Sequence, residues 1–172
     1  IPVPFHQKFG EINFRFYTKS KHDGRKGVVF LKEYAPKPII AFTASRIYNE
    51  PFFVKKIKRE KSLSKTNCKM SYSCSNGIVS VDASREFQDL ELKSFDHFII
   101  DRYVAFVKSR ANKTLRYLIK HKPWKFAKKH SIKMSDSILS LLPNEFKNAE
   151  LLKTHFVDGS DIEVEKGVLQ EN

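Results

Sequence analysis

Polar and apolar positions alternate from Glu11 to Thr18. Ile12, Phe14 and Phe16 fall on one side of an extended chain, and Glu11, Asn13, Arg15 and Tyr17 fall on the other. The pattern predicts a central strand with one dry face and one polar face lining a pocket. The run Gly27 to Tyr34 opens apolar and β-branched, as a half-buried strand does. With the loop His22-Asp23-Gly24 between them, the two strands read as a hairpin. Pro36 and Pro38 stop the second strand, because neither can donate to a ladder, and Pro38 can open a helix at its first turn. Ile40, Ala44 and Ile47 then recur at helical spacing, with Arg46 off that stripe, until Pro51 ends the helix. Phe52 to Arg59 returns to an extended pattern.

Three further hairpins follow. Cys68–Cys74 and Gly77–Asp82 join at Ser75-Asn76-Gly77, where Asn-Gly is the strongest short-range turn signal. Tyr103–Lys108 and Thr114–Lys120 meet about Ala111-Asn112-Lys113, and Leu151–Val157 and Asp161–Glu165 flank Asp158-Gly159-Ser160. Ser94 offers an N-cap to a short helix carrying Phe95, Phe98, Ile99 and Arg102, and Ser135 offers one to a helix running through Leu142 to Pro143. Strands in hairpin order with two or three short helices predict a mostly antiparallel, barrel-like α+β domain and argue against a βαβ sheet.

The length of 172 residues suits one domain with a real core, and 41% hydrophobic with 30% charged residues reads as globular. No run reaches the ~18 apolar residues of a membrane span, and there is no signal-peptide core. Cys68 and Cys74 would lie roughly 20 Å apart on one strand, too far for a disulfide, so a reducing, cytoplasmic compartment is expected.

Charge adds a second theme. The net charge is +13, and no carboxylate lies between Asp101 and Asp136, while basic residues run from Arg102 to Lys133. Such a block reads either as a docking surface for nucleic acid or an acidic partner, or as lysine used as the default surface residue.

Motifs narrow the chemistry. The six histidines show no HxxxH or HExxH spacing and the cysteines no CxxC, so no metal site is expected. Walker, GxGxxG and GxSxG motifs are absent, and nothing implies a cofactor. KGVVFLKEY matches an RNA-stacking strand at Lys26, Gly27 and Phe30, but Val28 and Glu33 stand where stacking rings belong, and that motif is rejected. Lys55-Lys56 could pair so that one lysine depresses the other's pKa for Schiff-base chemistry. Neighbours on a strand face opposite ways, however, and the basic run Lys55 to Lys61 also reads as a solvated edge.

FGEINFRFY (9–17), GVVFLKE (27–33), ASRIYNEPF (44–52), DRYVAF (101–106), HKPW (121–124) and HFVDGSDIEVEKG (155–167) stand in an order that resembles the YqjF-like proteins, uncharacterised members of the acetoacetate decarboxylase-like superfamily. The resemblance spans the chain. It implies a curved antiparallel barrel with a central cavity, one domain over 1–172, and an internal start at Ile1, since the family carries further strand and helix in front. The decarboxylase branch has a YxE-like glutamate motif and a Pro-Lys-Lys pair whose first lysine forms the imine. Phe9-Gly10-Glu11 resembles the former, whereas Phe52 and Phe53 follow Pro51 in place of the lysines.

A small organic ligand, anions included, is therefore expected in the cavity without Schiff-base catalysis. The expected cavity residues are Glu11, Arg15, Tyr17, Arg46, Tyr48, His121 and Trp124. Arg15 and Arg46 would pair with an anion, Glu11 would serve as acid, base or acceptor, and the aromatics would form walls. Structural roles compete: Arg15 paired to Glu11, His121 as a brace, Trp124 in the core. Two other functions stay open, a basic interaction module and an enzyme using Glu11 with Lys55 or Lys56.

Overall fold

The computed structural model describes residues 9–47, 49–109, 111–146 and 148–170. Ile12–Lys19 (β1) and Lys26–Ala35 (β2) form the expected hairpin. Helix α1 (Pro38–Ile47) starts at Pro38, where a missing N–H costs nothing, and leads into β3 (Phe52–Val54). A meander follows: β4 (Ile57–Leu63), β5 (Asn67–Cys74) and β6 (Gly77–Ser84). Next come β7 (Phe87–Gln88) and helix α2 (Phe95–Ile100), whose cap Ser94 accepts a hydrogen bond from the His97 amide at 3.1 Å. The hairpin β8 (Val104–Lys108) and β9 (Thr114–Lys120) is as expected. Then come β10 (Phe126–Ala127), β11 (His130–Met134), α3 (Asp136–Leu139), β12 (Glu163–Val164) and β13 (Val168–Leu169).

The main sheet runs β1-β2-β8-β9-β12, with β3 also on β2 and β13 also on β9; a second sheet runs β11-β6-β5-β4, and β10 pairs β7. The architecture is α+β and mostly antiparallel, but β2 pairs parallel with both β3 and β8. Among the described residues the strand pairings record no closed ring, and the mostly antiparallel sheets with short helices are the α+β architecture expected.

Paired residues share a face of the sheet, and this sorts the two cores. Ile12 and Phe14 pack with Tyr34, Cys74, Ile138 and Leu141 on one side. Tyr17 and Phe30 pack with Val28, Ala105 and Tyr117 on the other. Phe16 departs from the expectation at 40% exposed. A bulge at Leu31 shifts the register between Phe14 and Arg15, and the first core ends beneath Phe14.

Other corrections have local causes. Helix α1 buries Ala41, leaving Ile47 exposed. Cys74 pairs with Gly77, so the two-residue turn is Ser75-Asn76, with Ser75 at φ 53°. The Ser135 hydroxyl accepts from the Ile78 amide at 2.8 Å and from no backbone amide of its own helix, which stops at Leu139. The C-terminal hairpin does not form. Its first arm bridges Phe126 through Val157, and its second pairs with β9.

Candidate functional site

Three carboxyl groups gather where β1, β2 and the approach to β3 meet. Glu33 sits on β2 opposite Asn13, and its amide donates to the Pro51 carbonyl at 3.0 Å. That bond ties it to the segment Asn49-Glu50-Pro51, where Asn49 takes a left-handed φ of 57° and brings Glu50 inward. The Ser45 hydroxyl donates to the Glu50 backbone carbonyl at 3.2 Å, and the Tyr117 hydroxyl donates to Oε1 of the Glu50 carboxyl group. Glu33 is 3% exposed, and its Oε2 has no hydrogen-bond partner among the described residues.

Burial pushes Glu33 up to about 10, with the charges of Glu50 and Glu11 adding to the effect. Burial, then Glu11, raises Glu50 to about 8. Glu11 is exposed as a residue, yet the protein packed around its carboxyl raises it too, against a hydrogen bond from Asn13. Near neutral pH, then, Glu33 and Glu50 hold protons and can donate hydrogen bonds, while Glu11 stands at the open side.

Phe52 pairs in register with Glu33 and shares its face. Phe53 pairs with Tyr34 on the opposite face, the two ring centroids 5.8 Å apart. Lys55 follows Tyr34, its ammonium 5.5 Å from that ring and 3.2 Å from the Ser75 hydroxyl, so it lies away from Glu33. Lys56 is exposed.

Farther along the Tyr17 face the charge changes sign. Arg15 donates to the Tyr17 hydroxyl and to the Ile99 carbonyl, both at 3.2 Å, and the Tyr17 hydroxyl donates to the same carbonyl at 3.0 Å. Arg102 places its guanidinium 4.2 Å from the Phe98 ring and 5.9 Å from the Tyr17 ring. Arg15 is held by Tyr17 and Ile99, so the expected pairing with Glu11 is not the one formed.

The remaining expected residues scatter. Arg46 is exposed on α1 with its guanidinium 5.6 Å from the Phe42 ring, so the anchoring role assigned to it has no geometric support. Tyr48 lies outside the described residues. His121 stacks between Tyr103 and Trp124 at 4.5 and 4.3 Å, and its ring nitrogens meet the Lys122 and Arg102 carbonyls at 2.7 and 3.3 Å. Trp124 donates from its indole to the Ser160 hydroxyl at 2.9 Å. These two act as a brace for the C-terminal crossing.

The sequence reading missed Glu33, Glu50, Tyr117 and Arg102. A lone glutamate inside the apolar run GVVFLKEYA was the available signal for Glu33.

Two surface concavities, of about 880 Å³ and 540 Å³, lie elsewhere. The larger crosses the second sheet and is lined by residues such as Lys69, Ser71, Ser80 and Asp82; the smaller is lined by Thr18, His22, Phe106 and Gln170. Neither is lined by the three glutamates. Lys69 and Asp82 already pair at 3.4 Å, and the larger groove reads as a solvated sheet face. Among the described residues no three His, Cys, Asp or Glu side chains are placed to hold a metal ion, and no helix is long and apolar enough to cross a membrane.

Part of the basic stretch is paired in space. Arg116 pairs with Asp23, Lys120 with Glu165, Lys122 with Asp158, Lys125 with Asp89 and Lys128 with Glu86, at 2.5–3.6 Å. Carboxylates absent from the local sequence arrive from other elements.

Comparison with known proteins places this geometry in context. The family model DUF2071, described as an uncharacterized conserved protein, matches residues 1–161. No curated protein matches the chain. Among solved structures the chain is similar to acetoacetate decarboxylase from Legionella pneumophila subsp. pneumophila str. Philadelphia 1, at 11% identity and a TM-score of 0.58, covering 95% of this chain and 68% of that one. It is also similar to the enduracididine biosynthesis enzyme MppR, solved with the condensation product of pyruvate and imidazole 4-carboxaldehyde. The values there are 8% identity and a TM-score of 0.46, over 74% of this chain and 53% of that one. The first likeness establishes an acetoacetate decarboxylase-like fold.

Proposed function

The chain belongs to the DUF2071 family, and from that premise we propose that it binds a small organic ligand on the Glu33 face of β1 and β2 without Schiff-base chemistry. We place this site in a single domain spanning residues 1–172. One observation carries the reading: Phe52, in register with Glu33, stands on the carboxyl-bearing face where the superfamily resemblance puts an imine-forming lysine. A phenyl ring cannot attack a carbonyl, and beside buried carboxyls it makes an apolar wall with a few polar anchors, the usual composition of a ligand pocket. Glu33 and Glu50, holding their protons, can donate to a ligand carbonyl or hydroxyl, and Glu11 can accept.

The enzyme reading with Glu11 and Lys55 or Lys56 is the weaker one, since Lys55 packs on Tyr34 across the sheet. The five ion pairs within the basic stretch likewise weaken the nucleic-acid reading.

Borohydride reduction in the presence of acetoacetate is expected to leave every lysine unmodified by mass spectrometry. A stable adduct on Lys55 or Lys56 would overturn the non-imine reading.

A further inference from the structure

Three cations converge on one pair of rings without a counterion. Tyr17 and Phe98 lie 5.1 Å apart as a small aromatic floor between β1 and α2. Arg15 approaches the Tyr17 ring at 5.5 Å, Arg102 approaches both rings, and the Lys26 ammonium lies 5.8 Å from Phe98. Among the described residues none of the three forms an ion pair, whereas Arg25, just before β2, and Arg116 and Lys120 on β9 each have a carboxylate.

Asp101, next in sequence, favours the Arg102 charge from a distance but forms no ion pair with it among the described residues. Asp101 is 4% exposed and accepts from the Trp124 amide at 3.3 Å, and Arg102 Nη1 donates to the Asp101 backbone carbonyl at 2.9 Å. Arg102 Nε is buried without any hydrogen-bond partner among the described residues. Burial lowers the Arg102 pKa and the charge of Arg15 lowers it further, opposed by Tyr17 and by the Asp101 carboxylate. Like charges gathered and partly desolvated are costly unless an anion completes them. Neutral oxygens on Tyr17 and Ile99 fix the orientation of Arg15 but leave its charge uncompensated. Arg15 and Lys26 are exposed, so the cluster is open to a solute.

We propose that Arg15, Arg102 and Lys26 form a binding site for the oxyanion of a small organic ligand, a carboxylate or a phosphate, with its apolar part against Tyr17 and Phe98. Guanidinium forks match either oxyanion with parallel hydrogen bonds, and the ring pair supplies the contact for a carbon skeleton. The assignment deepens the ligand-binding reading above and rests on it, with Arg102 taking the role that Arg46 cannot fill.

Calorimetry on the full chain with phenylacetate, phenyl phosphate and benzyl alcohol tests it. Both anions are expected to bind at least ~10-fold tighter than the alcohol, with the preference falling as salt rises. The tighter of the two identifies the oxyanion. Arg15→Gln and Arg102→Gln should each weaken anion binding by about 10-fold or more and leave the alcohol unchanged, while Arg46→Ala should change neither. The exposed Arg15 keeps the test usable if Arg102→Gln fails to fold. Arginine Nε–Hε resonances give a second readout, with the Arg102 signal expected to shift on anion addition. Anion binding that survives both arginine substitutions but falls in Glu33→Gln would overturn the oxyanion site and spare the ligand-binding reading. Failure of all three probes to bind the folded wild type would overturn both.

Discussion

Unfolding free energy is expected to fall steadily as pH rises from 5 to 9, and Glu33→Gln is expected to remove much of that fall. In an unfolded chain a glutamate releases its proton near 4.5, whereas folded Glu33 holds it to about 10 and folded Glu50 to about 8. Below the lower value both states are protonated and pH has no purchase. Above it the folded state retains protons that the unfolded state has lost, so each group removes about 1.4 kcal/mol of stability per pH unit until its folded pKa is passed. Two groups act up to about pH 8 and Glu33 alone beyond it. Local opening that admits water will moderate the slope, and a gain of about 2–4 kcal/mol for Glu33→Gln at pH 8 is a fair expectation, with little gain at pH 5. Urea unfolding of both proteins at pH 5, 7 and 9 measures it. A wild-type stability that is flat or rises over that range would show the carboxyls to be ionised and solvated in the folded state.

The second large effect is steric. Gly27 is buried at the start of β2, where this strand runs beside β8. A Cβ there would lie 2.7 Å from the Val104 carbonyl oxygen and 2.6 Å from the Phe106 ring. The carbonyl belongs to the neighbouring backbone and cannot swing aside, so Gly27→Ala must part the two strands and loosen Val28 from Ala105. A loss of about 2–4 kcal/mol is expected. Gly77→Ala makes a useful contrast. Its Cβ would meet Ile138 Cδ1 at 2.5 Å and Cγ1 at 2.8 Å, side-chain atoms that a rotamer change can move, with the Ile138 backbone nitrogen farther off at 3.1 Å. The cost there should be about 1–2 kcal/mol. Denaturant midpoints of the two variants decide the matter, and an undiminished midpoint for Gly27→Ala would mean that β2 and β8 are not so closely apposed.

Local pattern was enough for the pieces. Alternation marked β1, Pro38 marked the start of α1, and turn residues marked three of the four expected hairpins, because each signal acts within a few residues. The assembly was harder to read. Parallel pairing of β2 with β8 leaves no turn signature, so the face shared by Tyr17, Val28 and Tyr117 could not be drawn from spacing. On that face alternation placed Arg15 and Tyr17 together as candidate cavity residues, and Arg15 donates to the Tyr17 hydroxyl. Arg46 was named as an anchor beside the motif, whereas Arg102 reaches Tyr17 only through the fold that brings α2 over β1. Glu33 looked like the polar position of a half-exposed strand until β3 covered it. The counterions of several cations between Arg102 and Lys133 come from distant segments, so local sequence could not show them.

The crossover from β2 to β8 also bears on the order of events during folding. The β1–β2 hairpin and the β4–β5–β6 meander close over short loops, but Val28 meets Ala105 only after the meander between them has been looped out. Contacts of such separation raise the entropic barrier and tend to form late. Until they form, Tyr117 cannot reach Glu50 and the carboxyls remain wet. Their desolvation then falls on the native side of the rate-limiting step. Raising the pH should therefore speed unfolding while barely slowing refolding, and Glu33→Gln should shift the unfolding arm of a chevron plot with a φ-value near zero.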